Sequence, residues 1–291
     1  MPDGRSHTEV CVIVPVHDGE PFLHEALAGL DDQTFAGFET VIVDDGSQDR
    51  SRAIIEEWVR RSPQCRRQLD TPGSGAQGVA AARNLAIANT NRRWLAFCDQ
   101  DDIWHPEKLA RQIETVRASP HFDLIATVPE LLVQTGQPDP SLILWHAMIE
   151  ALATDPVVEL TTQDILSSAP ICLSSAMVRR DALVEAGGFS SDLRWTSDWE
   201  AWLRLSFGRR IALMADPLVR YRLHGANEFQ RMRSESAFLD EVRTIHDRLA
   251  CAPNLVGCAS ETDARRKIER MAAPAGGDDG KWWSSDRPLE K

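Results

Sequence analysis

At 291 residues, with 43% hydrophobic and 26% charged side chains, the chain has an ordinary globular composition and can bury the core of one large domain or two small ones. A formal net charge of −12 excludes nonspecific attraction to nucleic acid or an anionic membrane surface, while leaving room for one anionic ligand at a local metal site. No apolar run reaches the roughly eighteen residues of a membrane span, and Met1 to Glu9 carries no hydrophobic leader, so the expected location is the cytoplasm.

From residue 10 to 128, short apolar runs alternate with helical periodicity, the pattern of β-α-β units feeding a mostly parallel sheet. Val10-Cys11-Val12-Ile13-Val14 is apolar on both faces, as a buried parallel strand requires, and Pro15 ends it. Pro21 suits the first turn of a helix carrying Leu23, Leu27 and Leu30. Val41-Ile42-Val43 is the second strand and runs into Asp44-Asp45-Gly46-Ser47. Asp49 or Ser51 then stands where it can cap a helix with Ile54, Ile55, Trp58 and Val59 on one face. A weaker strand is expected over 65–69, then a Gly73-Ser74-Gly75 loop and an alanine-rich helix over 79–89. Trp94-Leu95-Ala96-Phe97-Cys98 predicts a strand that meets Asp99-Gln100-Asp101-Asp102, followed by a helix over 106–118 and a strand over 124–128.

The second half is less regular. Residues 129–168 mix their signals around a helix over 142–153; 171–178 predicts a strand, and 180–186 a short helix stopped by Gly187-Gly188. Residues 198–207 predict a helix with Trp199, Trp202 and Leu203 on one side. Two further short strands are expected over 211–214 and 218–221, then an amphipathic helix over 234–249. Gly, Pro and charge predict a disordered tail over 273–291, where Trp282-Trp283 is an unusual pair and the one feature favouring peripheral contact with an inner membrane. Cys11, Cys65, Cys98, Cys172, Cys251 and Cys258 are scattered without a C-x-x-C pair and read as reduced thiols rather than a disulfide or zinc framework.

In an open parallel sheet, ligands bind beyond the carboxyl ends of the strands. Three such ends are marked by Pro15-Val16-His17, Asp44-Asp45 and Asp99 to Asp102. Ionised carboxylates as close as Asp99 and Asp101 repel unless a cation or strong donors neutralise them, and hard oxygen ligands favour Mg²⁺ or Mn²⁺ with positions open for phosphates. The other reading is a solvated acidic turn before the helix near Pro106. Asp44-Asp45-Gly46-Ser47 is either an Asx-type turn or a carboxylate site for a nucleobase N–H or ribose hydroxyl. The chain has neither a G-x-x-x-x-G-K-[ST] loop nor a G-x-G-x-x-G pattern after a strong strand, which disfavours P-loop and dinucleotide readings.

The segments V-I-V-P-V-H-D-G-E-P-F-L, Q-T-F-A-G-F-E-T-V-I-V-D-D-G-S-Q-D, G-V-A-A-A-R-N-L-A-I-A-N and F-C-D-Q-D-D-I-W-H-P-E-K-L resemble the family 2 glycosyltransferases in order and spacing. R-R-D-A-L-V-E-A-G-G-F, S-D-W-E-A-W-L-R-L and P-L-V-R-Y-R-L-H-G-A-N extend the resemblance over roughly residues 10–227. It implies a GT-A fold: an α/β, mostly parallel sheet flanked by helices, here with a C-terminal helical extension. The implied boundaries are a tail over 1–9, a GT-A domain over 10–228 with a nucleotide-sugar-binding half (10–128) and an acceptor-binding half (129–228), the extension over 229–272, and the tail over 273–291.

The implied activity is inverting transfer from a nucleoside diphosphate sugar, a UDP-sugar first among them, assisted by Mn²⁺ or Mg²⁺. Carried over by position, Pro15, Val16, His17 and Asp45 line the nucleoside pocket, Asp44 supports that turn, and Gly78 and Arg83 close the far side. Asp99 faces the ribose with Gln100 beside it, and Asp101 holds the metal bridging the diphosphate. His224 matches a histidine that approaches the metal or diphosphate, or is a surface-loop residue. His17 stands where the family often has Tyr, which leaves base stacking open. Asp198 is selected over Glu200 as the base that deprotonates the acceptor, the alternative being a helix-start carboxylate favoured by the dipole. Gly188, Trp195 and Trp199 are acceptor-side candidates. Rival expectations are a sugar-phosphate nucleotidyltransferase and a non-catalytic nucleotide-sugar-binding protein. The acceptor, whether glycan, lipid-linked glycan, protein or small molecule, is not assigned by these motifs.

Overall fold

Residues 8–134, 140–224, 236–253 and 256–272 are described by the computed structural model. The first apolar run forms β1 (Val10–Val16), buried along its whole length. It is flanked by β2 (Phe38–Asp44) and β4 (Trp94–Phe97), with β3 (Arg66–Asp70) outside β2. These four strands pair in parallel through the helices α1 (Leu23–Asp31), α2 (Ser51–Arg60) and α3 (Val79–Ala88). The register sets Val16 opposite Asp44 and Ile13 opposite Phe97, so the strand ends at His17, Asp45 and Asp99 open on one edge of the sheet.

Alternation explains why β1 is apolar on both faces. Cys11 and Ile13 join a core layer with Ala80, Ala82 and Ala86 of α3, while Val10, Val12 and Val14 face Leu23, Ile55, Leu109 and Ile113 in the opposite layer. Leu109 and Ile113 belong to α4 (Lys108–Ala118).

Beyond β4 the sheet becomes mixed. It continues through β8 (Met177–Arg179), β6 (Leu124–Val133), β9 (Ile211–Leu223) and β5 (Ile103–Trp104), with β7 (Val157–Leu160) pairing off this path on β9. β8 is antiparallel to both β4 and β6, whereas β6 and β9 are parallel. The remaining helices are α5 (Pro140–Leu152), α6 (Thr162–Ser168), α7 (Arg180–Glu185), α8 (Ser197–Ser206), α9 (Ser236–Ala250) and α10 (Glu261–Ala272).

Several expectations are corrected. The run 171–178 is not one strand: Leu173–Ser175 forms a 3-10 turn before β8, with the Ser175 hydroxyl donating to the Cys172 carbonyl at 2.7 Å. Serine side chains here offer the backbone a local alternative to the ladder. The two strands expected over 211–214 and 218–221 are the single strand β9. Its register on β6 jumps between Thr127 and Pro129, so Pro217 sits in an irregularity where no ladder N–H is required. Neither Asp49 nor Ser51 caps α2. The cap is Arg50, without a side-chain bond; Asp49 accepts the Ser51 N–H at 2.9 Å, and the Ser51 hydroxyl accepts the Gly19 N–H at 2.8 Å. β5, β7 and α6 lie outside the expected elements, whereas α10 falls within the expected helical extension over 229–272.

The six cysteines are free. Among the described residues, no helix is long and apolar enough to cross a membrane. Residues 1–7 of the N-terminal tail, Gly225-Ala226-Asn227, the boundary at 228, and the 273–291 tail with Trp282-Trp283 lie outside the described residues.

Candidate active site

A cleft of about 760 Å³ opens where β1, β2 and β4 end. Its lining takes Pro15, Val16, His17, Asp45, Gly78, Arg83, Asp99, Gln100 and Asp101 from the first half of the chain, and Trp195, Asp198 and Trp199 from the second. Three predicted residues, Asp44, Gly188 and His224, are not in that lining.

On the β1–β2 side, the Asp45 carboxylate accepts the Thr71 hydroxyl (2.6 Å), the Gln77 N–H (2.7 Å) and the Gly78 N–H (2.8 Å). It thereby holds the 71–78 loop over the strand end. A carboxylate has about four acceptor sites, so capacity for a ligand N–H remains. Gly78 begins α3 at φ 94°, a backbone conformation glycine adopts without steric cost. The His17 ring approaches the Asp45 carbonyl at 2.8 Å through Nδ1; a carbonyl only accepts, so Nδ1 carries the proton. Gln100 locks the same turn from β4: its Oε1 accepts the His17 N–H (2.8 Å) and its Nε2 donates to the His17 carbonyl (2.9 Å). Asp44 faces away from the cleft. It is 2% exposed, accepts the Ser47 N–H at 3.1 Å and lies 3.7 Å from Arg52, so it shapes the turn instead of meeting a ligand.

The acidic cluster divides into three environments. Asp99 receives the buried Arg83 guanidinium at 2.9 Å; burial nevertheless raises its pKa, opposed by Arg83 and reinforced by Asp101. Asp101 lies 3.0 Å from His224 Nε2, and the His224 ring packs on Phe22 with centroids 4.3 Å apart. Asp102 turns inward at 1% exposure. Its Oδ1 accepts the Arg222 N–H at 3.0 Å, and burial with the neighbouring Asp101 and Asp99 pushes its pKa well above the usual carboxylate range. Arg222 ties the cluster down further, donating from Nε to the Asp101 carbonyl (2.7 Å) and from Nη2 to Glu25 (2.8 Å). Arg83 offsets the repulsion expected from sequence at Asp99, and at Asp102 burial and the neighbouring acids together favour the neutral carboxyl.

Among the described residues, no group of three or more His, Cys, Asp or Glu side chains converges to cage a metal. Asp101 and His224 do converge. One carboxylate and one imidazole fit a Mg²⁺ or Mn²⁺ ion that completes its shell with substrate phosphate oxygens and water.

Asp198 enters from the opposite wall, on the first turn of α8. Its Oδ1 accepts the Trp199 N–H at 2.8 Å, and burial raises its pKa against the opposing charge of Arg83. Glu200, two residues on, is 4% exposed and fully engaged: Arg204 donates to it at 2.7 and 2.8 Å and Ser190 at 2.9 Å. Only the first of these two acids reaches the cleft.

Gly188 has φ 68°, and a Cβ there would lie 2.8 Å from Asn84 Oδ1. Asn84 exchanges two hydrogen bonds with the Phe189 backbone (2.7 and 3.0 Å), which docks this loop on α3. Gly188 therefore contributes a close approach to α3. Trp199 is buried, donating its indole N–H to the Ile165 carbonyl at 2.7 Å, while Trp195 is half-buried at the cleft edge. Sequence reasoning assigned no role to Thr71, Asn84 or Glu241, nor to Trp145, Tyr221 and Phe238, which line the cleft from the second half of the chain. Each meets its partner across the fold, where no local periodicity marks it.

A family model described as Glycosyl transferase family 2 matches residues 11–183. A glycosyltransferase named for teichuronic acid biosynthesis, TuaG of Bacillus subtilis, is 29% identical over 217 residues, covering 74% of this chain and 79% of that protein. The UDP-Glc:alpha-D-GlcNAc-diphosphoundecaprenol beta-1,3-glucosyltransferase WfgD of Escherichia coli is 35% identical over 104 residues, 36% of this chain and 40% of its own. Among solved structures, S. aureus TarS 1-349 in complex with UDP-GlcNAc superimposes with a TM-score of 0.69 at 19% identity, covering 91% of this chain and 71% of that one. The mannosyltransferase PcManGT of Pyrobaculum calidifontis, in complex with GDP-Man and Mn2+, gives 0.63 at 17% identity, covering 96% and 78%. The fold is that of the GT-A glycosyltransferases.

Proposed function

The chain belongs to Glycosyl transferase family 2, an enzyme family that moves sugar from a nucleotide sugar, and from that premise we propose inverting transfer from a UDP-sugar to an acceptor hydroxyl with Asp198 as general base. The observation that carries this reading is one cleft lined by Asp45, Asp99 and Asp101 on one wall and Asp198 on the other, while Glu200 is occupied by Arg204 and Ser190.

Residues 10–128 form the donor half and 129–228 the acceptor half, with 229–272 as the extension. Pro15, Val16, His17 and Asp45 receive the nucleoside, and Asp99, held by Arg83, faces the ribose. Asp101 and His224 would hold Mg²⁺ or Mn²⁺, which when bound supplies positive charge to the leaving diphosphate. Asp198 takes the proton from the acceptor hydroxyl as that oxygen bonds to the anomeric carbon. The bond from that carbon to the diphosphate oxygen breaks on the opposite face, which inverts the centre. Burial raises the Asp198 pKa and so strengthens it as a base, and the Arg83 charge opposes that rise. The UDP-GlcNAc and UDP-Glc in the names of TarS and WfgD support a uridine donor, and the Mn2+ in that of PcManGT supports the ion. The acceptor hydroxyl belongs to a glycan, a lipid-linked glycan, a protein or a small molecule.

Calorimetry with UDP, UDP-GlcNAc and GDP-mannose, with and without Mn²⁺, tests the donor side. Mn²⁺ should tighten UDP binding at least about tenfold, and Asp101→Ala should abolish that gain. UDP binding indifferent to both would remove the metal from this reading.

A further inference from the structure

The segment joining α7 to α8 supplies Asp192, Arg194, Trp195 and Thr196 to the cleft and leads directly into Asp198. Thr196 is the N-cap of α8, yet its side chain makes no cap bond to that helix. Its hydroxyl instead donates to Glu241 of α9 at 2.7 Å. The same Glu241 Oε2 accepts the Trp195 and Thr196 N–H groups, both at 3.1 Å, while Oε1 accepts the Arg194 N–H at 2.6 Å. Successive backbone N–H groups that converge in this way form a receptor for an anion, and a carboxylate with about four acceptor sites fills it. Two turns along α9, Arg248 pairs with Asp192, and Phe238 on the preceding turn lines the cleft itself. Helix α9 thus grips this loop at Asp192 and again at 194–196.

We propose that Glu241 is a positioning residue for sugar transfer: its carboxylate holds the 194–196 backbone so that α8 presents Asp198 toward the acceptor oxygen, making the C-terminal extension part of the active site. The proposal rests on the assignment of Asp198 as base. It places no substrate on Glu241, which acts through the loop. A misplaced base lowers the rate of the chemical step without weakening donor binding, because the donor pocket is built from β1, β2, β4 and α3.

The test compares Glu241→Ala and Glu241→Gln with the wild-type chain. Gln keeps the oxygen that can accept from Trp195 and Thr196 but turns an NH2 toward the Arg194 N–H, so it should behave as a partial rescue. Amide hydrogen exchange over 194–198 should accelerate at least about tenfold in Glu241→Ala, with β1 and α3 unchanged. UDP release from UDP-GlcNAc with Mn²⁺, water serving as acceptor, should show kcat lowered about 10- to 100-fold in Glu241→Ala and less in Glu241→Gln. The Kd for UDP should stay within about twofold. Unchanged exchange over 194–198, unchanged kcat, or a loss of UDP affinity parallel to the loss of rate would each overturn the proposal. If Glu241→Ala does not fold, Glu241→Gln carries the same comparisons. A wild-type chain that neither binds nor hydrolyses UDP-GlcNAc would count against the uridine-donor reading, while hydrogen exchange would still decide whether Glu241 holds the loop.

Discussion

The two walls of the cleft are built by different rules. On the donor side, the acids and the histidine follow buried parallel strands by a few positions: His17 after β1, Asp45 after β2, and Asp99 and Asp101 after β4. On the acceptor side, the wall is assembled from α5, α8, β9, α9 and the loops between them, and it is held by clamps distant in sequence. Asn84 binds Phe189 across 105 positions, Asp102 binds Arg222 across 120, and Glu241 binds Thr196 across 45. A strand end gives a side chain its direction through backbone register alone. A loop needs partners from elsewhere to hold it, and here those partners are carboxylates, a carboxamide and arginines.

The sharpest way to break this comparison is inside α8, where Asp198 and Glu200 sit two residues apart. Asp198→Asn should lower kcat for UDP release about 10²–10⁴-fold with UDP affinity unchanged, the range of a lost general base. Retained transfer with intact donor binding would move the base elsewhere. Glu200→Ala should do the reverse, destabilising the fold by about 3–5 kcal/mol because Arg204 is left as an uncompensated, largely buried charge. Denaturant unfolding would measure that loss, and activity per folded molecule should persist. If Glu200→Ala instead removed activity at full stability, the division between reacting and clamping acids would be wrong.

A smaller effect tests the electrostatics linking the walls. Burial raises the Asp198 pKa, so the acid limb of kcat should lie above the ordinary aspartate value of about 3.9. Activity falls as pH drops through that raised value, because the protonated carboxyl cannot accept the acceptor's proton. Arg83 favours the ionised form and Asp99 disfavours it. Arg83→Met should therefore move the limb to higher pH and Asp99→Asn to lower pH, as pH–rate profiles for UDP release would record. A limb that ignores both substitutions would mean that Asp198 does not titrate in it.

How much was legible follows the same division. β1, β2 and β4 could be read because a strand buried on both faces must be apolar without interruption, and the polar residues that end such runs stand out. The short β5 and β7 carry too few residues to show a period, and β9 reads as two strands because Pro217 interrupts its pattern. The run 171–178 has strand-like composition, but its serines bond locally and break it. Within the site, the choice of Asp198 over Glu200 came from a motif match. Its physical ground, the engagement of Glu200 by Arg204 and Ser190, exists only in three dimensions.

By itself, the sequence determined the parallel β-α-β half, the edge of the sheet on which the cleft opens, and the identity of the acids gathered there. These follow from short-range patterns, because hydrophobic periodicity and strand termini lie within a few residues of one another. Tertiary structure alone decided the surroundings of each acid. Asp99 met Arg83, Asp101 met His224, Asp102 was turned into the core, and Asp198 was left facing the cleft while Glu241 took hold of its loop. The role of a carboxylate depends on the charges and donors packed around it, and the fold brings those together from positions that no local pattern connects.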